Sequence, residues 1–369
     1  MFLENLLMSG RQSCFYLLQS LSMSLILQVF FVCFLAVSCA TVSKPEPEAL
    51  PSSENGENGQ KGLEEEDVVV KEISQTLTLE KTVDNLYDNA YQSYLNGKYE
   101  DAIIGFETGE LLNSQKMQFW RKLSLNYCYL ATGRYKDAQN LALLLINEKP
   151  DYWKSYMNAA LAYLWQGKFQ NAIEHFQKAD EFQDAEPSVE LYLGIAYKLL
   201  KKEDLAQKQF VKAEESYREI MKNNPDDEQA FIELAYLYLY SDKNNGEVLR
   251  LLDKAKRIVE DSDKPEEKQI WLDFYLPHLK GMFLYKEEKF EDSILTLTSA
   301  LEKSPSGIHV DLAEVYYYLG KNYKALKNDA KAQEFFKKAL EIDPLVLYTD
   351  DIQTQLNKVL KPKSPKTRS

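Results

Sequence analysis

The 369-residue sequence is poor in the residues that most active sites need. It has 3 histidines, His175, His278 and His309, which lie far apart and show no HExxH or comparable metal-ligand spacing. It has no GxSxG elbow, no glycine-rich nucleotide loop and no paired-carboxylate motif that stands out from its acidic background. Enzymatic chemistry, a metal and a cofactor are therefore not expected. Positive charge is also short. The net charge of -13 argues against a nucleic-acid partner, because affinity for phosphates comes from clustered Lys and Arg releasing counterions. With only 14 Gly and 12 Pro, the chain is not a low-complexity polymer, and it is long enough for two ordinary domains or one repeat array.

Cysteine is scarce as well: Cys14, Cys33, Cys39 and Cys128. Leu25 to Ser38 is the one long apolar run, and it is shorter than the roughly 20 residues that span a bilayer as a helix. It fits the apolar core of a secretory signal, so residues 1–38 read as a signal peptide. Met1 to Met23 holds only one cation, Arg11, where such a segment normally starts basic. The run ends in Ala36-Val37-Ser38-Cys39, which resembles a relaxed bacterial lipobox, with Cys39 as the lipidated residue. Two other readings stay open: an uncleaved signal anchor, and a cleaved signal whose end carries no lipid. If cleavage falls before Cys39, no internal disulfide remains, and Cys128, inside an apolar helix, reads as a packing residue.

Lys44 to Asp67 holds eight acids and two lysines among Pro, Gly, Ser and Asn, and cannot build a core. Residues 39–78 thus read as a lipidated N-terminus followed by a disordered acidic tether with a reach of roughly 30 to 40 Å. A bacterial cell envelope, with the outer membrane as anchor, is the compartment this implies.

What the sequence has in abundance is tyrosine, with 24 copies, and repetition. Gly97-Lys98-Tyr99-Glu100-Asp101-Ala102 looks at first like a phosphate loop, but no Ser or Thr follows the lysine and no strand precedes it. The pattern returns at Gly133 and at Gly167, 36 and 34 residues further on, which marks it as architecture. Helical pairs can be read on this ruler. Small or short residues in the first helices (Ala90, Asn126, Ala160, Gly194, Ala235, Gly281, Gly320) face matching residues in the second helices, such as Ala102/Phe106, Ala172/Phe176, Ala206/Phe210 and Ala332/Phe336. Pro150, Pro225, Pro305 and Pro344 follow second helices, and Asp151 and Asp226 are placed to cap the helices after them.

In its last unit the chain carries Tyr316, Leu319, Gly320, Tyr323, Ala332, Phe336, Ala339 and Pro344 in step, and in its third unit Tyr156, Ala160, Tyr163, Ala172, Phe176 and Ala179. These positions resemble the tetratricopeptide repeat. The resemblance implies an all-α, right-handed superhelical solenoid of about seven helix pairs over residues 79–345. A capping helix follows within 346–360, placed at Thr349 to Leu360, and then a basic disordered tail over 361–369. The fifth and sixth units depart most from the pattern, through Asn244-Asn245-Gly246 and Pro277. The family lines a groove with its first helices. Carried over, that wall includes Tyr87, Tyr91, Tyr94, Tyr127, Met157, Leu161, Trp165, Ile195 and Tyr236, and suits a partner helix or peptide of an envelope protein. The alternative is a carrier for a lipid or hydrophobic small molecule. The oligomeric state is open.

Overall fold

The computed structural model describes residues 78–112, 117–243, 245–262, 265–304, 308–342 and 348–360. The chain divides into two compact units; Val83–Ser369 belong to one and Leu3–Thr82 to the other, of which only residues 78–82 are described. Cys39, the acidic segment, Pro305, Pro344 and the basic tail lie outside the described residues.

Among the described residues every regular element is helical. The pairs are α1 (78–95) with α2 (Tyr99–Leu112), α3 (Phe119–Ala131) with α4 (Tyr135–Glu148), α5 (Trp153–Trp165) with α6 (Phe169–Asp180), and α7 (Ser188–Leu199) with α8 (Glu203–Asn223). Then come α9 (Glu228–Ser241) with α10 (Asn245–Asp261), a sixth pair, and α14 (His309–Ala325) with α15 (Asp329–Ile342). In the sixth pair the first arm is α11 (Pro265–Ile270), a π-helical turn (Trp271–Tyr275) and α12 (Leu276–Lys286), and the second is α13 (Phe290–Glu302). The array closes on α16 (Thr349–Leu360), which packs on α15 and buries Ile352.

The wide turn explains how Pro277 sits inside a continuous helical arm. Proline has no N–H for the i→i−4 ladder and its ring crowds the preceding turn. A π turn just ahead of it relaxes the ladder, with the Leu276 N–H bonding back to the Trp271 carbonyl.

Each pair is held where small residues let helices approach. The second-helix anchors Ala102, Ala138, Ala172, Ala206, Val248, Ser293 and Ala332 are all buried. In the first helices, a Cβ added to Gly194 would meet the Phe210 ring at 2.6 Å, one on Gly320 would meet Phe336 at 2.6 Å, and one on Gly281 would strike Leu297. Asn126 uses its amide for the same closeness, donating from Nδ2 to the Ala138 carbonyl at 2.6 Å. Burial of such aromatic side chains contributes about 1.5–3 kcal/mol each.

Every turn inside a described pair has a residue in the left-handed region. In the first three pairs it is glycine: Gly97, Gly133 and Gly167, at φ 69°, 73° and 73°. In the next four it is Lys201, Asp242, Glu288 and Lys327, at φ 55° to 62°. The residue after the turn closes the helix end by donating back five positions, as in Lys98 to Ser93, Arg134 to Tyr129, Lys202 to Tyr197 and Asn328 to Tyr323. The recurring glycine is thus a helix terminator.

Two expected caps differ from the structure. Asp227, one residue beyond Asp226, caps α9, its Oδ1 accepting from the Ala230 N–H at 2.9 Å. Asp226 turns to Lys254 at 3.4 Å instead. The N-cap of α5 is Tyr152, and Asp151 makes no cap bond, because the chain enters that helix one residue later than the acid.

Candidate functional site

The first helices form a continuous row: α3 touches α5, α5 touches α7, α7 touches α9, α9 touches α12 and α12 touches α14. From α5 to α12, the residues expected to line a groove therefore sit on helices with neighbours on both sides. Tyr87, Tyr94, Tyr127, Met157, Leu161, Trp165, Ile195 and Tyr236 are all buried, and only Tyr91 is half-buried. Tyr94, Tyr99 and Tyr127 show what fills the space, with ring centroids 5.4 to 6.4 Å apart across the first two pairs. With row neighbours this close, most of those side chains are spent on joining one pair to the next.

The row differs along its length. In the first pairs its tyrosine–glutamate contact is at the edge. Tyr129 Oη donates to Glu107 Oε1 at 2.7 Å, and Arg134 lies over the Tyr129 ring while pairing with Glu107 at 2.9 Å. Close by, Phe119, Trp120 and Tyr152 meet edge to face at 5.1 to 5.5 Å, with the Lys149 ammonium over all three rings. Trp120 is 45% exposed in this cluster.

In the last pairs the polar groups move inside. Glu233 on α9 is buried, accepting from Tyr217 Oη at 2.5 Å and from Gln229 Nε2 at 2.7 Å. Burial pushes its carboxyl up to about 8, although both hydrogen bonds favour the ionised form. Glu314 on α14 is buried too. Its Oε1 accepts from Tyr240 Oη of α9 at 2.7 Å and from Tyr348 Oη, while His278 Nε2 of α12 lies 3.3 Å from Oε2. Burial acts to raise the Glu314 carboxyl, but His278 and the two phenols outweigh it and hold it below the usual range.

Tyr348 belongs to no helix pair; it stands just ahead of α16. Its ring stacks on Tyr317 at 4.2 Å and meets Tyr318 edge-on at 6.3 Å, and its hydroxyl lies 2.5 Å from that of Tyr240. Three residues on, Asp351 accepts from Tyr317 Oη at 2.6 Å and pairs with Lys321 at 3.0 Å. Asp351 thus ties α16 to α14, and its carboxyl is held below the ordinary value: burial opposes this, and the Tyr317, Gln355 and Lys321 contacts prevail. Glu314, Tyr317, Tyr318 and Lys321 follow helical spacing, so one face of α14 makes all these contacts.

His278 is the only one of the three histidines placed in such a cluster. His175 is half-buried, with Nδ1 2.9 Å from the Asn171 carbonyl, and so is His309. Among the described residues no group of three or more His, Cys, Asp or Glu is placed to hold a metal ion. Cys128 is buried within α3. No helix of the described residues is long and apolar enough to cross a membrane. Sequence reasoning missed the Glu233 and Glu314 clusters, because their members come from helices one or two pairs apart and from the segment ahead of α16; the only available signal was the period itself, which places His278, Glu314 and Tyr348 about one repeat apart.

Tandem helix pairs with small residues at each crossing, a terminator in each turn and a row of first helices in mutual contact define a helical-repeat scaffold. Two family models described as tetratricopeptide repeat match residues 129–187 and 313–345. The chain thus carries tetratricopeptide repeats over these two stretches. No curated protein matches it. Among solved structures it is similar to a tetratricopeptide repeat protein from Parabacteroides merdae ATCC 43184, at 14% identity over 76% of this chain and 100% of that one, with a TM-score of 0.41. It is also similar to NprR in complex with its cognate peptide NprX, at 14% identity over 77% of this chain and 84% of that one, TM-score 0.47. A third is the APC/C hetero-tetramer Cut9-Hcn1, at 15% identity and TM-score 0.45, where the match covers 72% of this chain and 48% of the other.

Proposed function

We propose that this chain is a non-catalytic protein-interaction scaffold of the bacterial cell envelope, tethered to a membrane through a lipid on Cys39. The observation that carries the scaffold reading is the row of first helices, which runs through six consecutive pairs, with no metal-holding group of His, Cys, Asp or Glu among the described residues. Such a row suits a partner helix or an extended peptide. Tyr91 and Trp120 are among its accessible aromatic points, and their large, stiff rings supply contact area at low entropic cost. The tether reading rests on Ala36-Val37-Ser38-Cys39 and on the acidic run after it, which suits a spacer holding the repeats off a surface.

Crosslinking in intact cells tests the scaffold. A reproducible protein partner, lost in a Tyr91→Ala, Trp120→Ala double variant that keeps its helical circular dichroism, is the expected result. Lipid co-purifying in place of any protein would favour a carrier and overturn the scaffold. Lipidation is read separately: a Cys39→Ala chain should no longer take up labelled fatty acid, and continued uptake refutes the anchor.

A further inference from the structure

An end cap for a helical array needs only an apolar face over the last pair, which Ile352 of α16 supplies. The segment that leads into this cap does more. Tyr348 reaches back past the seventh pair to Tyr240 of the fifth, and Asp351 grips Tyr317 and Lys321. With Tyr348 withdrawn, the buried Glu314 carboxylate keeps only one phenol donor and the His278 ring. A buried acceptor deprived of a donor is costly, so the vacated face favours another hydroxyl in the same place. Phenylalanine could stack on Tyr317 but could not serve Glu314.

We infer that the segment starting at Tyr348 is an internal stand-in for a partner, and that the face built by Tyr240, His278, Glu314, Tyr317 and Lys321 recognises a peptide bearing a tyrosine followed, three residues later, by a carboxylate. This rests on the scaffold reading and names the partner class for one end of the row. Because the stand-in is tethered beside its site, its effective concentration is on the order of millimolar, and a competing peptide must overcome that occupancy. The observed affinity for a partner falls by the fraction of chains whose face is open. The device sets a threshold: weak tyrosine-bearing segments are refused, and strong ones displace α16.

The test uses the full chain and a fluorescein-labelled peptide of residues 348–360. Wild type should bind the peptide weakly, and the Tyr348→Ala, Asp351→Ala double variant should bind it about tenfold or more tightly, because its own segment no longer competes. Adding Glu314→Gln to the double variant, or replacing the peptide's tyrosine with phenylalanine, should remove most of that gain. If the double variant loses its helical signal, Tyr348→Phe takes its place, with an expected gain of about tenfold from the lost hydrogen bond to a charged group. Equal binding by wild type and variant, or equal binding of the tyrosine and phenylalanine peptides, overturns the inference. Such a failure leaves the crosslinked partner of the scaffold untouched, so the two readings fall by different results.

Discussion

The first three helix pairs and the last four solve the same problem with different chemistry. In the first three, glycine takes each left-handed turn, tyrosines of the first two pairs meet edge to face, and the Tyr129–Glu107–Arg134 contact stays at the half-exposed edge. In the last four, lysine, aspartate or glutamate accepts the strained turn, and the Tyr–Glu contacts are buried at Glu233 and Glu314. The difference teaches that the helix-pair framework tolerates a change of interior. What stays constant is the small-residue crossing; what varies is whether the tyrosine–glutamate contacts between neighbouring pairs lie at the edge or inside.

The framework should therefore break equally in both regions. Phe176→Ala in the third pair and Phe336→Ala in the seventh each remove a fully buried ring and should cost about 3–5 kcal/mol by chemical denaturation. A much smaller loss at Phe336 would mean that the last pair is not packed as the third is. The Tyr–Glu contacts should then separate the regions. Glu314→Ala strands two phenols beneath α16 and should cost about 1–3 kcal/mol. Glu107→Ala removes a half-exposed partner and should cost less than about 1 kcal/mol.

Glu233 sharpens the contrast through pH. Its folded value, about 8, lies above the ordinary 4.5, so the folded chain holds this proton more tightly than the unfolded chain. The resulting stabilisation is complete below the unfolded value and is lost as pH rises towards and through 8. Wild type should lose stability relative to Glu233→Gln between pH 5 and pH 8, measured by denaturant midpoints at each pH. A difference that does not change with pH would contradict a buried, proton-holding Glu233.

The smallest effects lie in the turns. Lys201→Gly, Glu288→Gly and Lys327→Gly should each stabilise by about 0.5–1 kcal/mol, since glycine enters the left-handed region without a Cβ penalty. Asp242→Gly should not, because the Asp242 carboxylate receives Lys198 of α7 at 3.1 Å and Lys286 of α12, joining three pairs. Thermal midpoints of the four variants read this directly.

How far the molecule is legible in its sequence follows the same division. Crossings and glycine turns repeat at a readable interval, and the stretch Thr349 to Leu360 stands out as one more amphipathic helix. The turns at Lys201, Glu288 and Lys327 can be found only by counting from the glycines, because their residue types carry no turn signal. Which tyrosines are exposed was not legible, since every helix of the row is apolar on more than one face. The Glu314 cluster was hidden for a related reason: Tyr240, His278, Glu314 and Tyr348 each look like an ordinary helix or loop residue until packing brings them within hydrogen-bond reach. Asp226 and Asp227 show the finer limit, where one residue decides which acid caps a helix.

The central claim is that the last pairs are held closed by the chain's own Tyr348. Hydrogen exchange of the α16 amides, compared between wild type and Tyr348→Phe, tests it most directly. Loss of one hydrogen bond to a buried carboxylate is worth about 1.5–3 kcal/mol, so α16 should exchange about tenfold or more faster in the variant, while α3 to α6 remain unchanged. Identical exchange of α16 in the two proteins would contradict the account.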